Sequence, residues 1–290
     1  MSALSVSDPA RATVLVAIPV FNAAAALARC LERLTAVPLR ARWRALVIDD
    51  ASTDPAVIEL GRRFARSGER VAPIQFRRNR SNRGFTANVN QAIDALWPGE
   101  HLLLLNSDTV VTRGWLDEML ATAAEPSHAP VGTVTPFSNN ATICSLPDFT
   151  RAWPLPSRVE AERIAQLLAS KRAAAIDLPT GVGFCLLITR PCLEAVGRFD
   201  ETAFPRGYGE ENDFCRRAAA AGFRNVLCPN AFVGHEGAVS FGDEREQLMR
   251  AGAQALLAKH PDYNDLVAAW IARDPAASRR AWIRAELGLK

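Results

Sequence analysis

Four consecutive leucines constrain this chain more than any other feature. Leu102 to Leu105 follow His101 and precede Asn106-Ser107-Asp108-Thr109. An element with one wet face cannot be apolar at four adjacent positions, so the run reads as a strand buried on both sides. Such a strand needs layers above and below it, which points to an α/β sheet covered by helices. In an open sheet of this kind, ligands bind beyond the carboxyl ends of the strands. Asp108 stands at such an end. A carboxylate there can hold a hard divalent cation, and that cation can grip a diphosphate. The same residues also suit a helix start, with Ser107 or Asp108 as cap before Gly114-Trp115-Leu116.

The residues upstream repeat the pattern. Thr13 to Val20 is a β-branched run, with Pro19 placed where a ladder can stop. Phe21-Asn22 turns the chain into a helix over Ala23 to Ala36, with Leu27, Leu31 and Leu34 on one face. Ala45 to Ile48 is a second strand, ending in Asp49-Asp50. Asp54 caps the next helix and Pro55 takes its first position. Val71 to Phe76 is a third strand, and Phe85 to Leu96 a helix with Val89, Ile93 and Leu96 inward. The loop between them, Arg77 to Gly84, is dense in arginine and asparagine. It reads either as a solvated turn or as a site for phosphate or base, since guanidinium forks and backbone amides suit both. The ends of three strands therefore converge: Pro19 to Asn22, Asp49-Asp50, and Asn106 to Asp108.

Composition narrows the class. With 290 residues, 49% of them apolar, the chain can bury a large core and is not disordered. A net charge of +3 does not suggest a nucleic-acid partner. Six cysteines contain no Cys-x-x-Cys pair and read as reduced core residues of a cytosolic protein. The first ten residues carry Asp8 and no basic stretch, so no signal peptide is expected. No apolar run approaches the roughly 18 residues of a membrane helix.

Downstream, Val131 to Thr135 is a further strand, Pro136 to Pro156 a long loop, and Arg158 to Arg172 an amphipathic helix. Gly181 to Thr189 reads as a strand. Its Gly-x-Gly start fails the dinucleotide pattern because Leu186 replaces the third glycine. Arg190 to Val196 is a short helix stopped by Gly197. Glu210, Glu211 and Asp213 follow Gly207-Tyr208-Gly209 and open a helix that ends near Gly222. Acids in a first turn suit the helix dipole, and Asp213 can pair with Arg216 or Arg217. Val226 to Cys228 reads as a strand, and Val233 to Ser240 follows it, with His235 a lone histidine after a strand. Helices follow from Asp243. The tail, Arg279 to Arg284, is basic and carries Trp282 and Ile283; it either packs back on the domain or lies on a membrane surface.

Four segments carry a resemblance: Val16 to Asn22, Val47 to Asp54, Asn79 to Asn90 with Asn82-Arg83-Gly84-Phe85 inside it, and Leu105 to Thr109. In this order and spacing the chain resembles family 2 glycosyltransferases of the GT-A fold, over roughly residues 12 to 240. The resemblance implies a Rossmann-like, mostly parallel sheet flanked by helices. It divides the chain into a nucleotide-binding half (12–110), an acceptor and catalytic half (111–240), and a C-terminal helical extension (241–290). It implies an inverting hexosyltransferase that takes a nucleotide-diphosphate sugar, UDP- or dTDP-linked, to a saccharide or lipid-linked acceptor with Mg²⁺ or Mn²⁺. The setting implied is cytoplasmic, with weak peripheral contact at the inner face of the membrane.

By this resemblance, Pro19 and Asn22 line the nucleoside pocket, Asp49 and Asp50 contact base and ribose, and Asn82, Arg83 and Gly84 join the donor site. The family's Asp-x-Asp motif falls on Asn106-Ser107-Asp108, so Asp108 alone supplies charge to the cation, which the donor diphosphate and a further ligand must complete. His235 is a candidate for that ligand; a structural role is the alternative. Small residues around Gly183 let the donor sugar approach. Glu211 is the expected general base and Glu210 its partner at the acceptor hydroxyl, whereas Asp213 is structural. The Asn-Ser-Asp-Thr variant resembles transferases of bacterial surface polysaccharides, some of them rhamnosyltransferases. Two other classes remain open: a sugar-nucleotide binder without catalysis, and a nucleotidyltransferase on a similar sheet. The latter would carry a glycine-rich loop after its first strand, and Pro19 to Ala26 has no glycine.

Overall fold

The computed structural model describes residues 13–67, 74–237 and 243–289. Asp8, and with it the leader expectation, lies outside the described residues, as do Val71 to Pro73 and Ala238 to Ser240. Four parallel strands form one half of the sheet: β1 (Thr13–Val20), β2 (Arg42–Asp49), β3 (Ile74–Arg78) and β4 (His101–Leu105), in the order β3-β2-β1-β4. Three helices connect them: α1 (Ala24–Ala36), α2 (Pro55–Ser67) and α3 (Phe85–Asp94). Pro55 opens α2, and the Asp54 carboxylate accepts from Ala56 N at 2.9 Å, as the capping pattern requires. The leucine run behaves as its composition demands. Leu103 and Leu105 enter one apolar cluster, whereas Leu102 and Leu104 enter the other on the opposite face.

Beyond β4 the sheet becomes mixed. It continues through β5 (Thr109–Val111), β6 (Val131–Phe137), β7 (Ile176–Asp177), β8 (Cys185–Ile188) and β9 (Arg224–His235). The full order is β3-β2-β1-β4-β8-β6-β9-β5, with β7 also on β9. β8 runs antiparallel between β4 and β6, while β6 and β9 are parallel. The remaining helices are α4 (Trp115–Ala123), α5 (Arg158–Ser170), α6 (Arg190–Val196), α7 (Glu210–Ala220), α8 (Asp243–Lys259), α9 (Tyr263–Arg273) and α10 (Ala277–Glu286). The result is a mixed α/β fold, a mostly parallel central sheet with helices on both faces.

Several local expectations are corrected. Arg77 and Arg78 belong to β3 and not to the loop after it, because they pair with Ile48 and Asp49 of β2. β5 intervenes between Asp108 and α4. The residue before α4 is Gly114 at φ 74°, so neither Ser107 nor Asp108 caps that helix. Gly181 and Gly183 precede β8 instead of forming part of it. The strand expected over 226–228 is part of the 12-residue β9, which runs on to His235 and passes from a parallel partner, β6, to an antiparallel one, β5.

The C-terminal helices share the main core: Trp270, Ala276 and Ile283 join the apolar cluster of α1, α4 and α5. The basic tail is spent inward. Arg279 is buried and donates to the Pro229 carbonyl at 3.1 Å. Arg280 is buried too and donates to the carbonyls of Ile143 and Ser145 and to Asp274. These two arginines therefore do not face a membrane surface. All six cysteines are buried and unpaired. Among the described residues, no helix is long and apolar enough to cross a membrane.

Candidate active site

A cavity of about 390 Å³ opens at the carboxyl ends of β1 and β4, where the sheet order leaves room beside the loops after β2 and β3. Pro19, Asp50, Asn82 and Gly84 line one end of it. Asp50 is the anchor of that end. Its Oδ1 accepts from Asn79 Nδ2 and from Arg83 N, both at 2.8 Å, and its Oδ2 accepts from Gly84 N at 2.9 Å. The arginine-rich loop thus wraps its backbone around one carboxylate. Gly84 is required there: its φ is 85°, and a Cβ would lie 2.1 Å from the Pro205 carbonyl oxygen.

Three predicted residues stand off the cavity wall. Asp49 is fully buried beneath it, accepting from Ser52 N at 2.9 Å and paired with Arg78. Asn22, at φ 54°, accepts from Thr53 N at 2.8 Å and Asp54 N at 3.1 Å, so it braces the loop after β2. Arg83 contributes its N–H, and its side chain is exposed.

Asn106, Ser107 and Asp108 line the middle of the cavity, with His235 beside them. The antiparallel register of β5 on β9 sets Thr109 opposite His235. Asp108 Oδ1 consequently lies 3.4 Å from His235 Nε2, and its Oδ2 accepts from Gly237 N at 3.1 Å. Burial pushes the Asp108 carboxyl up, but the hydrogen bond and charge of His235 outweigh this and hold it below its ordinary 3.8. The imidazole is held on three sides. Its Nδ1 faces the Asn140 carbonyl at 2.7 Å and must donate to it. Asn139 Oδ1 accepts from His235 N, its Nδ2 donates to His235 O, both at 2.8 Å, and the ring stacks on Phe184 at 5.1 Å. With Nδ1 occupied, Nε2 is left to face Asp108, the orientation a metal-ligating histidine needs. Among the described residues no group of three or more His, Cys, Asp or Glu converges. The donor set is thus one carboxylate and one imidazole. It fits a divalent cation whose remaining ligands come from a bound diphosphate and water.

The far wall carries the acids. Gly207, Tyr208 and Gly209 all have positive φ, at 93°, 65° and 133°, and they deliver the chain into α7. Glu210 is 4% exposed and accepts from Gly209 N at 3.1 Å. Glu211 is partly exposed and packs on Gly183, where a Cβ would sit 3.5 Å from its carboxyl carbon. Burial, and then the charge of Glu211, push the Glu210 carboxyl well above its ordinary 4.5. Burial raises Glu211 too, while its hydrogen bonds, including one from Glu210, pull it back. Both carboxyls are thus raised, Glu210 the further because the charge of Glu211 adds to its burial. Asp213 is wholly inaccessible and bonded to Arg217 Nε at 2.8 Å, whereas Arg216 goes to Asp262.

The cleft also gathers Asn88, Arg206 and Tyr208, which sequence reasoning passed over. Asn88 looked like a helix interior residue. Tyr208 carried a signal, a bulky residue between two glycines. Asn139 and Asn140 were visible only as loop residues.

The mostly parallel, helix-flanked sheet, with its cleft beyond the carboxyl ends of β1 and β4, has the GT-A fold. A profile of the glycosyltransferase-like family 2 matches residues 9–253, and the chain belongs to that family. It is 28% identical over 264 residues to the pre-mycofactocin glycosyltransferase of Mycobacterium tuberculosis, covering 88% of this chain and 50% of that protein. The chain thus spans about half the length of this curated relative. Among solved structures, the fold is similar to the mannosyltransferase PcManGT from Pyrobaculum calidifontis, in complex with GDP-Man and Mn²⁺. That match has a TM-score of 0.61 at 19% identity and covers 95% of this chain and 74% of that one. It is also similar to GalNAc-T7 with UDP, GalNAc and Mn²⁺, with a TM-score of 0.64 at 14% identity, covering 96% of this chain and 55% of that one.

Proposed function

We propose that the protein is an inverting glycosyltransferase that moves a sugar from a nucleotide-diphosphate sugar to a hydroxyl of a saccharide or lipid-linked acceptor. One observation carries the reading: a single cavity is lined by Asp50, by Asp108 with His235, and by Glu211. A sugar hydroxyl is a poor nucleophile at neutral pH. Glu211, partly exposed and the more anionic of its pair, accepts that proton as the new bond forms. Glu210, protonated, can donate a hydrogen bond to the acceptor oxygen or to Glu211. Asp50 and the loop around it hold the nucleoside, and Pro19, Asn82 and Gly84 shape that end. A divalent cation, Mg²⁺ or Mn²⁺, held by Asp108 and His235, would neutralise charge on the departing diphosphate. Base and leaving group then act from opposite sides of the anomeric carbon, which inverts it.

Two similar solved structures hold Mn²⁺ with GDP-Man or with UDP, which supports a cation and a nucleotide-sugar donor here. The test is hydrolysis of a panel of UDP-, dTDP- and GDP-sugars with Mn²⁺ and with EDTA. At least one donor should be cleaved with Mn²⁺ and spared with EDTA. If none is bound or cleaved under any condition, the transferase reading fails and a non-catalytic binding role takes its place.

A further inference from the structure

The family profile ends at residue 253, yet four residues beyond it grip the helix that carries Glu210 and Glu211. The grip centres on Asp213, a fully inaccessible carboxylate in the first turn of α7. Its Oδ1 lies 2.9 Å from Lys259 Nζ and 2.9 Å from His260 Nε2, and Arg217 takes its Oδ2. Lys259 also holds Asp200 Oδ2 at 2.6 Å, and so ties the loop before α7 to the same knot. Two residues on, Asp262 accepts from Arg216 at 3.0 Å. Tyr263, at the start of α9, brings its hydroxyl near Thr180 and Glu211. Thr180 in turn donates to Asn212 Oδ1 at 2.9 Å. Upstream on α8, Gly252 rests directly on the strained turn before α7: a Cβ there would lie 1.8 Å from the Tyr208 carbonyl oxygen.

Apart from the Asp262–Arg216 pair farther along the helix, these contacts restrain the entry to α7. The Gly207-Tyr208-Gly209 turn is intrinsically costly, since Tyr208 carries a side chain at φ 65°. Such a turn persists only if its surroundings hold it. A buried carboxylate held by two cations, Lys259 and Arg217, and by His260 is fixed just as firmly, because losing a partner leaves buried charge uncompensated. The knot and the strained turn bracket Glu210 and Glu211 on both sides.

We propose that the corner between α8 and α9 is a working part of this active site: Lys259, His260 and Tyr263 are positioning residues that fix the first turn of α7 and so aim Glu211. The proposal rests on the transferase reading for its consequence but not for its geometry, and its test separates the two. The severing variant is Lys259→Met with His260→Phe; the rescuing variant, Lys259→Arg with His260→Gln, keeps donors toward Asp213. Two measurements are made on the full chain.

The first is amide hydrogen exchange, which needs no substrate. Exchange should rise on the order of tenfold in residues 207–213 of the severing variant, with β1 and β4 unchanged, and return in the rescuing variant. The second is hydrolysis of the nucleotide-sugar panel with Mn²⁺. Here kcat should fall roughly 10- to 100-fold, the cost of a misplaced catalytic group, with donor KM within about twofold. Tyr263→Phe should show the same split in smaller measure. If the double variant does not fold, Lys259→Met alone, which leaves Asp213 two partners, carries both measurements. The proposal is overturned if exchange at 207–213 stays at the wild-type level, or if donor KM moves and kcat does not. A wild-type protein that cleaves no donor overturns the transferase reading instead, and exchange then decides this one.

Discussion

Glu210 and Glu211 are neighbours in sequence with different surroundings: Glu210 is buried, whereas Glu211 is partly exposed to the cleft. If Glu211 is the base, Glu211→Gln should lower transfer about 10²- to 10⁴-fold, the usual worth of a positioned base, without lowering the melting temperature. Full activity in that variant would remove Glu211 from the role. Glu210 makes a prediction about stability instead. Its folded-state pKa is raised, so the folded protein binds more protons than the unfolded chain above the ordinary 4.5. Its stabilising contribution is complete below that value and is lost as pH rises through the raised one. Glu210→Gln should therefore flatten the fall of melting temperature with rising pH above 4.5; an unchanged slope would place the linkage elsewhere. Asp49 and Asp50 teach a similar lesson. Adjacent side chains at a strand end point to opposite faces. Asp50 turns to the cleft, while Asp49 turns under it toward Arg78, its partner in the β2–β3 register.

At the scale of elements, the short β5 decides more than its length suggests. It separates Ser107 and Asp108 from the helix they would have capped and aligns Asp108 with His235 through β9. The loop over residues 138–146 then fixes the imidazole, and α10 fixes the loop. Arg280 reaches the carbonyls of Ile143 and Ser145, while Asn139 and Asn140 of the same loop hold His235. Arg280→Met would leave two buried carbonyls and Asp274 without their donor. The expected cost is on the order of 2–5 kcal/mol, read as a lower urea midpoint. A variant as stable as wild type would show that α10 is not a brace. The tail's basic residues read as a surface in sequence because nothing local marks an arginine that will be buried against carbonyls.

At the scale of the whole molecule, the proposed cation site draws Asp108 from the turn before β5 and His235 from the end of β9, and it lacks the first acid of the family motif. Asn106 stands where that acid would be. Mn²⁺ binding measured by calorimetry should therefore be weak in the protein alone and at least about tenfold tighter with a nucleoside diphosphate present, by linkage through shared ligands. Equal affinity in both states would mean a further protein ligand completes the site. The layered architecture itself was legible early. A strand apolar on both faces can exist only between two helical layers, and short β-α units allow few topologies. The acids after β2, after β4 and at the start of α7 were legible for the same reason: strand ends and helix starts are local events, written within a few residues. What local pattern cannot carry is convergence. His235 meets Asp108, Arg280 meets the 138–146 loop, and Lys259 meets Asp213 only because the sheet order brings separated segments together. Periodicity encodes which face of an element is buried; which element lies against that face is decided by the packing of the whole chain.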